Sequence, residues 1–135
     1  MCLVIKQLES KIEPKIADKD IICYKLVERT KIKGVYKSSF IGFEYIIRQL
    51  YTNNIKIEFS YFLIKHTSII DSPITYIEEG MFHSYASCLY PVTLSPLPWC
   101  ALLKCIIPKG AYYYEGYFDN YPSYASSQIK ILEEI

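Results

Sequence analysis

The alternation of apolar and polar residues predicts a chain built mainly from β-strands. From Ile55 to Leu63 every second residue is apolar or aromatic, and Lys56 and Glu58 lie between them. A period of two is typical of a strand that buries one face. Runs rich in β-branched or aromatic residues predict further strands at 21–27, 35–41, 75–77, 99–107, 111–117 and 126–132. The run 99–107 is mostly apolar, so we expect it at the centre of the sheet, covered on both faces.

One or two short helices are expected beside these strands. Ser84 is a typical N-cap residue, and we expect a helix that starts near Tyr85, contains Leu89 and ends before Pro91. The segment 43–51 is ambiguous, because its apolar residues fit a helical stripe and also suit a strand; extended or mixed structure is slightly favoured. Turns or loops are predicted at Gly34, 53–54, 68–73, 91–98, 108–110 and 118–122.

These elements define the expected fold class. With 135 residues the chain has the size of one domain. We predict a single α+β domain over residues 1–135, with a mixed, mostly antiparallel sheet of six or seven strands and one or two short helices. Residues 1–20 are polar and broken by Pro14, and they are expected to form a lead-in segment.

The charge balance argues against two classes of partner. Fifteen Lys and Arg against fourteen Asp and Glu leave a formal net charge of +1. A nucleic-acid-binding protein needs excess positive charge to neutralise phosphates, and a polybasic membrane anchor needs a cluster of it. The N-terminus lacks the features of a signal peptide, and the most apolar run, 99–108, is too short for a membrane span and contains Lys104. We therefore expect a cytoplasmic protein that binds neither nucleic acid nor membrane.

The cysteines and histidines do not form a metal or disulfide pattern. Five cysteines is an odd number, no C-x-x-C occurs, and three of them lie in apolar runs. Buried reduced thiols are the favoured interpretation over a disulfide framework. Only His66 and His83 are available, without a close Cys or His pair, so a structural zinc site is not expected. No metal and no cofactor is predicted.

The first candidate site is the segment containing His83, Ser84 and Tyr85. It places an imidazole, a hydroxyl and a phenol at the expected junction of a strand and a helix. Backbone N–H groups at a helix start can receive an anion, and His83 could act beside it as a base or donor. The favoured alternative is structural: Ser84 caps the helix, while His83 and Tyr85 pack at its start.

The second candidate site is the tyrosine-rich hairpin. Pro108 ends a buried strand, Lys109 and Gly110 form the turn, and Tyr113 and Tyr114 point to opposite faces of the next strand. The exposed face could stack on a sugar, a base or an aromatic side chain of a partner. Aromatic packing between strands is the favoured alternative. Together, the candidate ligand-binding residues are His83, Ser84, Tyr85, Lys109, Tyr113 and Tyr114.

The sequence offers little for catalysis. Removal of Met1 would expose Cys2, whose own amino group could serve as a base, as in N-terminal nucleophile hydrolases. Nothing in the following twenty residues indicates an oxyanion hole. No G-x-S-x-G, P-loop, H-E-x-x-H or G-x-G-x-x-G motif is present, and no residue is assigned a catalytic role.

Several motifs resemble a family of small uncharacterised proteins from Bacteroidota and their phages or mobile elements. The motifs are Met1-Cys2-Leu3-Val4, residues 14–17 with 20–21 and 24–25, the 80–85 stretch, residues 107–110, Tyr113-Tyr114-x-Gly116 and residues 124–126. The chain departs from the pattern at Met81 and in the turn after Tyr117, which lacks a glycine. The resemblance implies a phage or mobile-element accessory protein and names no mechanism.

A weaker resemblance is to the ADP-ribosyltransferase fold, in which an early strand, a helix and a late I-P-K-G strand pair frame a nicotinamide pocket. Lys25 stands where that fold would want Arg or His, and Gln128 stands where a catalytic Glu would be expected. If the fold is shared, the resemblance implies a pocket without its reaction.

Three hypotheses for function follow. The leading one is a non-enzymatic binding protein that sequesters a small nucleotide-like ligand or docks on a host protein, antagonising a host process. The second is a small transferase or hydrolase that uses His83 with Tyr85, or Cys2. The third is a self-associating structural protein whose aromatic face forms a homo-oligomer interface.

Overall fold

The computed structural model describes residues 3–6, 14–38, 43–52, 63–67, 73–77, 81–88, 98–118 and 121–135. Residues 3–6, 63–67, 73–77 and 118 are described by their backbone. Within these ranges no helix of any length occurs, so none is long and apolar enough to cross a membrane.

Thirteen strands make up the regular structure of the described ranges. In chain order they are β1 (Leu3–Lys6), β2 (Lys15–Ile16), β3 (Ile21–Arg29), β4 (Val35–Ser38), β5 (Glu44–Ile46), β6 (Leu50–Thr52), β7 (Leu63–Thr67), β8 (Pro73–Ile77), β9 (Phe82–Tyr85), β10 (Cys100–Ile107), β11 (Tyr112–Phe118), β12 (Tyr121–Ser126) and β13 (Gln128–Glu134). All of them belong to one sheet with the order β6-β13-β10-β3-β9-β12-β11-β1-β8-β7. Strand β2 adds to β11, and β4 pairs with both β3 and β5.

The expected α+β class is wrong. β9 runs through Ser84, the predicted N-cap, to Tyr85, where the helix was expected to start, and it pairs with β12 through Tyr85↔Ser123 and Ser84↔Tyr124. Residues 86–88 of the predicted helix are not helical, and 89–90 lie outside the described residues. Pairing with a neighbouring strand satisfies the backbone groups of this segment, so tertiary context overrides the capping signal of Ser84. Mixed strand directions are wrong too, because every strand pair among the described residues is antiparallel.

The number of strands is also higher than the expected six or seven. The ambiguous segment 43–51 divides into β5 and the start of β6, separated by a turn in which Arg48 has a φ of 68°. Within the predicted loop 118–122, Phe118 ends β11 and Tyr121 begins β12, with Pro122 as its second residue, whereas 119–120 lie outside the described residues. Proline is tolerated there because its missing N–H costs least near the start of a strand.

Several predicted strands and turns are confirmed. β3, β10 and β11 lie where the apolar pattern places them, and Gly34 and Gly110 have the positive φ values of turn glycines. The register of β10 against β3 is continuous from Cys100↔Glu28 to Ile107↔Ile21. The strongest alternating run, 55–62, and most of the proline-rich loop, 91–97, lie outside the described residues.

Six strands form what we call the six-strand ring, in which neighbouring strands are paired except β5 and β6, which are joined by the turn 47–49. β3 pairs with β10 on one edge and with β4 on the other, and β4 pairs with β5. After the tight turn, β6 pairs with β13, and β13 pairs with β10. The amide of Arg48 donates to the carbonyl of Ile131 at 2.7 Å, and the amide of Ile131 donates to the carbonyl of Gln49 at 3.1 Å. These bonds continue the β6–β13 contact into the turn.

The inner face of the ring carries the core. Alternate residues of each strand point inward, because successive side chains of a strand lie on opposite faces. The fully buried inner side chains include Cys23, Val27, Leu103, Cys105, Ile107, Ile129 and Ile131. Near the rim, the Arg29 guanidinium donates to the carbonyls of Pro98 and Cys100 and to the Glu134 carboxylate. Tyr36 donates its hydroxyl to the same carboxylate at 2.6 Å.

Candidate functional site

A charged side chain lies on the inner face of the six-strand ring. Lys25 is 9% exposed and shares the inner face of β3 with Cys23 and Val27. Its ammonium donates a hydrogen bond to the backbone carbonyl of His83. It also lies over the ring of Tyr45, with 5.1 Å between Nζ and the ring centroid. Lysine is almost never buried to this extent in folded proteins unless it is paired.

Within the part of the chain that the structure describes, no carboxylate pairs with this ammonium. Among the described residues, ion pairs join Lys15 to Glu115 and Arg29 to Glu134, and Lys25 takes part in neither. An ammonium has three N–H donors, and the described residues supply one hydrogen-bond acceptor to it. Burial lowers the pKa of Lys25, although the neighbouring Cys105 and Cys23 thiols oppose that shift. Burial therefore makes the charged form of Lys25 less favourable than that of an exposed lysine.

Two thiols accompany the lysine. Cys23 and Cys105 are direct partners in the β3–β10 register, and both are fully buried and free. Burial raises the pKa of Cys23 to about 11, against the opposing effects of the Ser84 hydroxyl and the Lys25 ammonium. Burial raises the pKa of Cys105 as well. Both thiols stay protonated at neutral pH, which makes them poor nucleophiles.

Aromatic rings separate the lysine from the surface. Tyr45 is 3% exposed and is followed outward by Phe43, whose ring centroid lies 5.0 Å from that of Tyr45. Phe43 also contacts Tyr51 at 5.4 Å and Phe82 at 6.2 Å between centroids. Phe43 is 39% exposed, whereas Tyr51 and Phe82 are half-buried. We call these four rings the aromatic wall.

The structure divides the predicted site residues between two faces. Ser84 lies on the inner face beside Cys23, and Tyr113 lies on that face against Tyr124, with 6.0 Å between ring centroids. His83 and Tyr114 lie on the opposite face, where both are register partners of Ala125. Tyr85, paired with Ser123 in the same strands, shares that opposite face.

Two of these residues have further features. The hydroxyl of Tyr114 is buried without a hydrogen-bond partner in the described part of the chain, and burial raises the pKa of this tyrosine. Lys109 is exposed in the turn after β10, where its backbone amide donates to Asp20 at 2.9 Å. The register places Lys109 beyond the Ile107↔Ile21 end of β10, away from Tyr85, which pairs with Tyr24. The predicted residues therefore do not form one cluster.

No protein-family model, no curated protein and no solved structure matches this chain.

The sequence analysis assigns no ligand-binding role to Lys25 or Tyr45, the two side chains at the centre of this region. Only the resemblance to the ADP-ribosyltransferase fold draws attention to Lys25. Tyr45 falls in the segment 43–51, whose apolar pattern fits both a helix and a strand. A signal was present in β3, because Cys23, Lys25 and Val27 occupy alternate positions and would share one face. The segment 82–85, in contrast, was singled out, and it supplies the carbonyl of His83, the hydroxyl of Ser84 and the ring of Phe82 to this region.

The arrangement suits a ligand better than a metal. The described residues hold no cluster of three or more His, Cys, Asp or Glu side chains that could coordinate a metal ion. An ammonium with spare N–H donors can bind an anionic or carbonyl oxygen, and the aromatic wall can stack on a flat ring. We call this group of residues, Lys25 with Ser84 and the aromatic wall, the lysine site.

Proposed function

We propose that this protein binds a small, planar, anionic ligand at the lysine site and does not transform it. The observation that carries the proposal is the burial of Lys25 without a carboxylate partner in the described residues. A nucleotide-like molecule has the matching chemistry, because it joins a flat aromatic ring to a negatively charged group.

Electrostatics supports an anion at Lys25. The effective cost of taking an ion out of water is several kcal/mol, and one neutral carbonyl returns only a part of it. A phosphate or carboxylate oxygen would supply charge-assisted hydrogen bonds to the remaining N–H donors. Ligand binding would therefore offset the energy that burial of the ammonium costs the fold.

The aromatic wall supports a flat ligand body. Phe43, which is 39% exposed, contacts both Tyr45 and the half-buried Phe82. Stacking on aromatic side chains contributes about 1–3 kcal/mol per base in nucleic-acid complexes. A base or similar ring can stack on the outer rings while its anionic group points towards Lys25.

The setting proposed with this function is a cytoplasmic phage or mobile-element accessory protein that withholds a small signal from a host. The support is the motif resemblance to small proteins of Bacteroidota, their phages and mobile elements, and the nearly neutral charge.

Thermal unfolding with added ligands tests the proposed function. Adenosine monophosphate, NAD and ADP-ribose are tested beside two half-ligands, adenosine without the anion and inorganic phosphate without the ring. At about 100 times the dissociation constant, a ligand that binds only the folded state adds about 2.7 kcal/mol of stability. We expect a complete anionic ligand to stabilise the wild type more than either half-ligand does.

Two variants provide the matched comparison. Lys25→Met removes the buried ammonium, and Lys37→Met removes an exposed one on β4. We expect the ligand-induced shift to disappear in the first variant and to persist in the second, with near-ultraviolet circular dichroism confirming that both fold. Equal shifts in the two variants, or no shift with any ligand of the panel in the wild type, would overturn the proposed function.

A further inference from the structure

Two thiols occupy directly opposed positions on the inner face of the six-strand ring. Cys23 on β3 and Cys105 on β10 are register partners, and the register between these two strands runs without a shift. Both side chains are fully buried, and both thiols are free. The proposed function uses neither of them. The fold therefore brings two oxidisable groups together at its centre, on one face and at one register position.

The hydrogen-bond pattern of the β3–β10 ladder indicates how far apart the two backbones lie at this position. The amide of Arg29 donates to the carbonyl of Trp99 at 2.6 Å, which makes these residues a hydrogen-bonded pair. Such pairs recur at every second residue of an antiparallel ladder, so Cys23 and Cys105 form a hydrogen-bonded pair too. The Cα atoms of such a pair are about 5.5 Å apart, within the range of about 4.4–6.8 Å that a disulfide spans.

We propose that Cys23 and Cys105 form a reversible cross-strand disulfide when the protein meets an oxidant of the low-molecular-weight disulfide class, such as oxidised glutathione. The bond joins two side chains that already face each other, so it needs neither a cavity nor a change of register. This inference does not depend on ligand binding at the lysine site.

The separation of the side chains makes this disulfide easy to reduce. Opposed Cβ atoms in an antiparallel pair are about 4.5–5.5 Å apart, and hydrogen-bonded pairs are the wider kind. A disulfide holds its Cβ atoms about 3.5–4.5 Å apart. The two strands must therefore approach each other locally, and this movement strains the oxidised form. Strained disulfides are the more readily reduced ones, so the bond is a reversible modification and not a permanent link.

The oxidation is a thiol–disulfide exchange in two steps. Burial keeps both thiols protonated in the folded ring, so the first step takes place when β3 and β10 separate. One cysteine thiolate then attacks a sulfur of oxidised glutathione, which forms a mixed disulfide and releases one glutathione thiolate. As the strands pair again, the second cysteine thiolate attacks the cysteine sulfur of the mixed disulfide and releases the second glutathione thiolate. The released thiolates take up the two protons, so two protein thiols are oxidised and one glutathione disulfide is reduced.

Other cysteines of the chain provide internal controls. Cys88 and Cys100 are half-buried and free. Cys100 belongs to β10 as well, but it lies an odd number of residues from Cys105 and therefore on the opposite face of that strand. Its register partner is Glu28. Exchange that ignores the register would favour these more accessible thiols, so a preference for the Cys23–Cys105 bond reports the native pairing of the strands.

Refolding in glutathione buffers provides the test. Reduced wild-type protein is diluted from urea into buffers with an increasing ratio of oxidised to reduced glutathione. Free thiols are then blocked with N-ethylmaleimide, and linked peptides are identified by mass spectrometry. We expect the Cys23–Cys105 link to exceed every other cysteine pair at least several-fold in the oxidising buffers and to disappear in the reducing ones. Cys100→Ser should leave the linked fraction unchanged, whereas Cys105→Ser removes it.

The stability of the oxidised protein shows whether the bond forms in the native register. A link between residues 23 and 105 closes a long loop of the unfolded chain, so the oxidised protein should unfold at a higher urea concentration than the reduced protein. Random pairing of cysteines, glutathione attached only to Cys88 and Cys100, or a lower urea midpoint of the oxidised protein would overturn the proposal. A link that persists in the reducing buffers would overturn its reversibility. The comparison among cysteine pairs is made within wild-type protein, so it does not depend on the folding of a variant.

Discussion

At the scale of single residues, burial of the Lys25 ammonium costs the fold stability, and the proposed ligand binding would offset that cost. Its ammonium is held away from water, where it contacts the His83 carbonyl and the Tyr45 ring. Residues that serve ligands commonly carry this kind of cost, because selection retains them for the bound state. This cost to the free energy of unfolding can be measured with Lys25→Met, because methionine is similar in length to lysine and carries no charge.

We predict that Lys25→Met raises the free energy of unfolding of the ligand-free protein by roughly 1–2 kcal/mol at neutral pH. Removing the buried ion recovers several kcal/mol, and losing its hydrogen bond to the His83 carbonyl costs about 1–3 kcal/mol of that gain. Urea unfolding monitored by circular dichroism measures the difference. A less stable variant would show that Lys25 contributes to the fold more than its burial costs.

The stability difference between wild type and Lys25→Met should also depend on pH. The pKa of Lys25 is lowered from 10.5 in the folded state, so the unfolded chain binds more protons between the folded pKa and 10.5. The free energy of unfolding of the wild type therefore rises with pH in that window. The difference in stability between Lys25→Met and the wild type should shrink as the pH increases towards 10.5. The buried thiols and Tyr45 are present in both proteins, so comparison of the two largely cancels their titration. A difference that is constant across the alkaline range would contradict the lowered pKa.

At the scale of elements, the β10–β11 turn depends on one glycine. Gly110 has a φ of 90°, and its amide donates to the carbonyl of Ala17 at 2.8 Å. A Cβ built there would meet nothing within 4 Å, so a side chain would be limited by backbone strain and not by a clash. This turn joins the central strand to the tyrosine-rich strand and anchors the segment before β3.

We predict that Gly110→Ala lowers the free energy of unfolding by about 1–2 kcal/mol, the cost of a left-handed conformation for an L-residue. Lys109→Ala is the control, because its side chain is exposed and an ordinary surface substitution changes stability by less than about 0.5 kcal/mol. Thermal unfolding of both variants measures the contrast. Equal melting temperatures would show that the turn relaxes to another conformation at no cost.

The elements also show how far the sequence pattern predicts this fold. Strands β3, β10 and β11 follow from β-branched and aromatic runs bounded by glycine and proline, and the structure confirms them. The pattern is wrong at β9, because a serine before small residues is a helix cap in isolation, whereas pairing with β12 decides the outcome here. β12 itself was missed because Pro122 and the small residues Ser123 and Ala125 lack the composition of a strand.

The lysine site was harder to predict than the strands. In β3 the sequence does not show which face is buried, because both faces carry apolar residues. Ile22, Tyr24 and Leu26 alternate with the buried positions 23, 25 and 27. A lysine at position 25 is ordinarily a sign of the solvent side. The Lys25 face of β3 is buried because other strands of the six-strand ring cover it. β10 supplies Leu103, the register partner of Lys25, and β5 supplies the Tyr45 ring.

At the scale of the whole molecule, closure of the six-strand ring couples distant parts of the chain. Ile131 connects β13 to the turn before β6 through hydrogen bonds in both directions, and it is also the register partner of Cys105. If the six strands unfold together, the backbone hydrogen bonds of Ile131 should break only when the whole ring unfolds. Contacts at a frayed edge would open more easily.

We predict that the amide of Ile131 exchanges with solvent deuterium as slowly as the amides that pair β3 with β10, since all of them require global unfolding. Ile131→Ala, which removes a fully buried side chain, should cost about 2–5 kcal/mol and accelerate all of these amides by a similar factor. Native-state hydrogen exchange measures both effects. Faster exchange at Ile131 alone in the wild type would show that β13 detaches independently.

The position of β13 between β6 and β10 has a consequence for synthesis on the ribosome. Strand β3 emerges early, but its partner β10 is translated much later, and the ring closes only after residues 128–134 have left the exit tunnel. Until then the nascent chain exposes the core face of β3, with the Cys23 thiol and the Val27 side chain, to the surrounding solution. Such a chain depends on late, long-range pairing, which is slow and prone to aggregation, and chaperones that shield extended apolar segments would raise its yield.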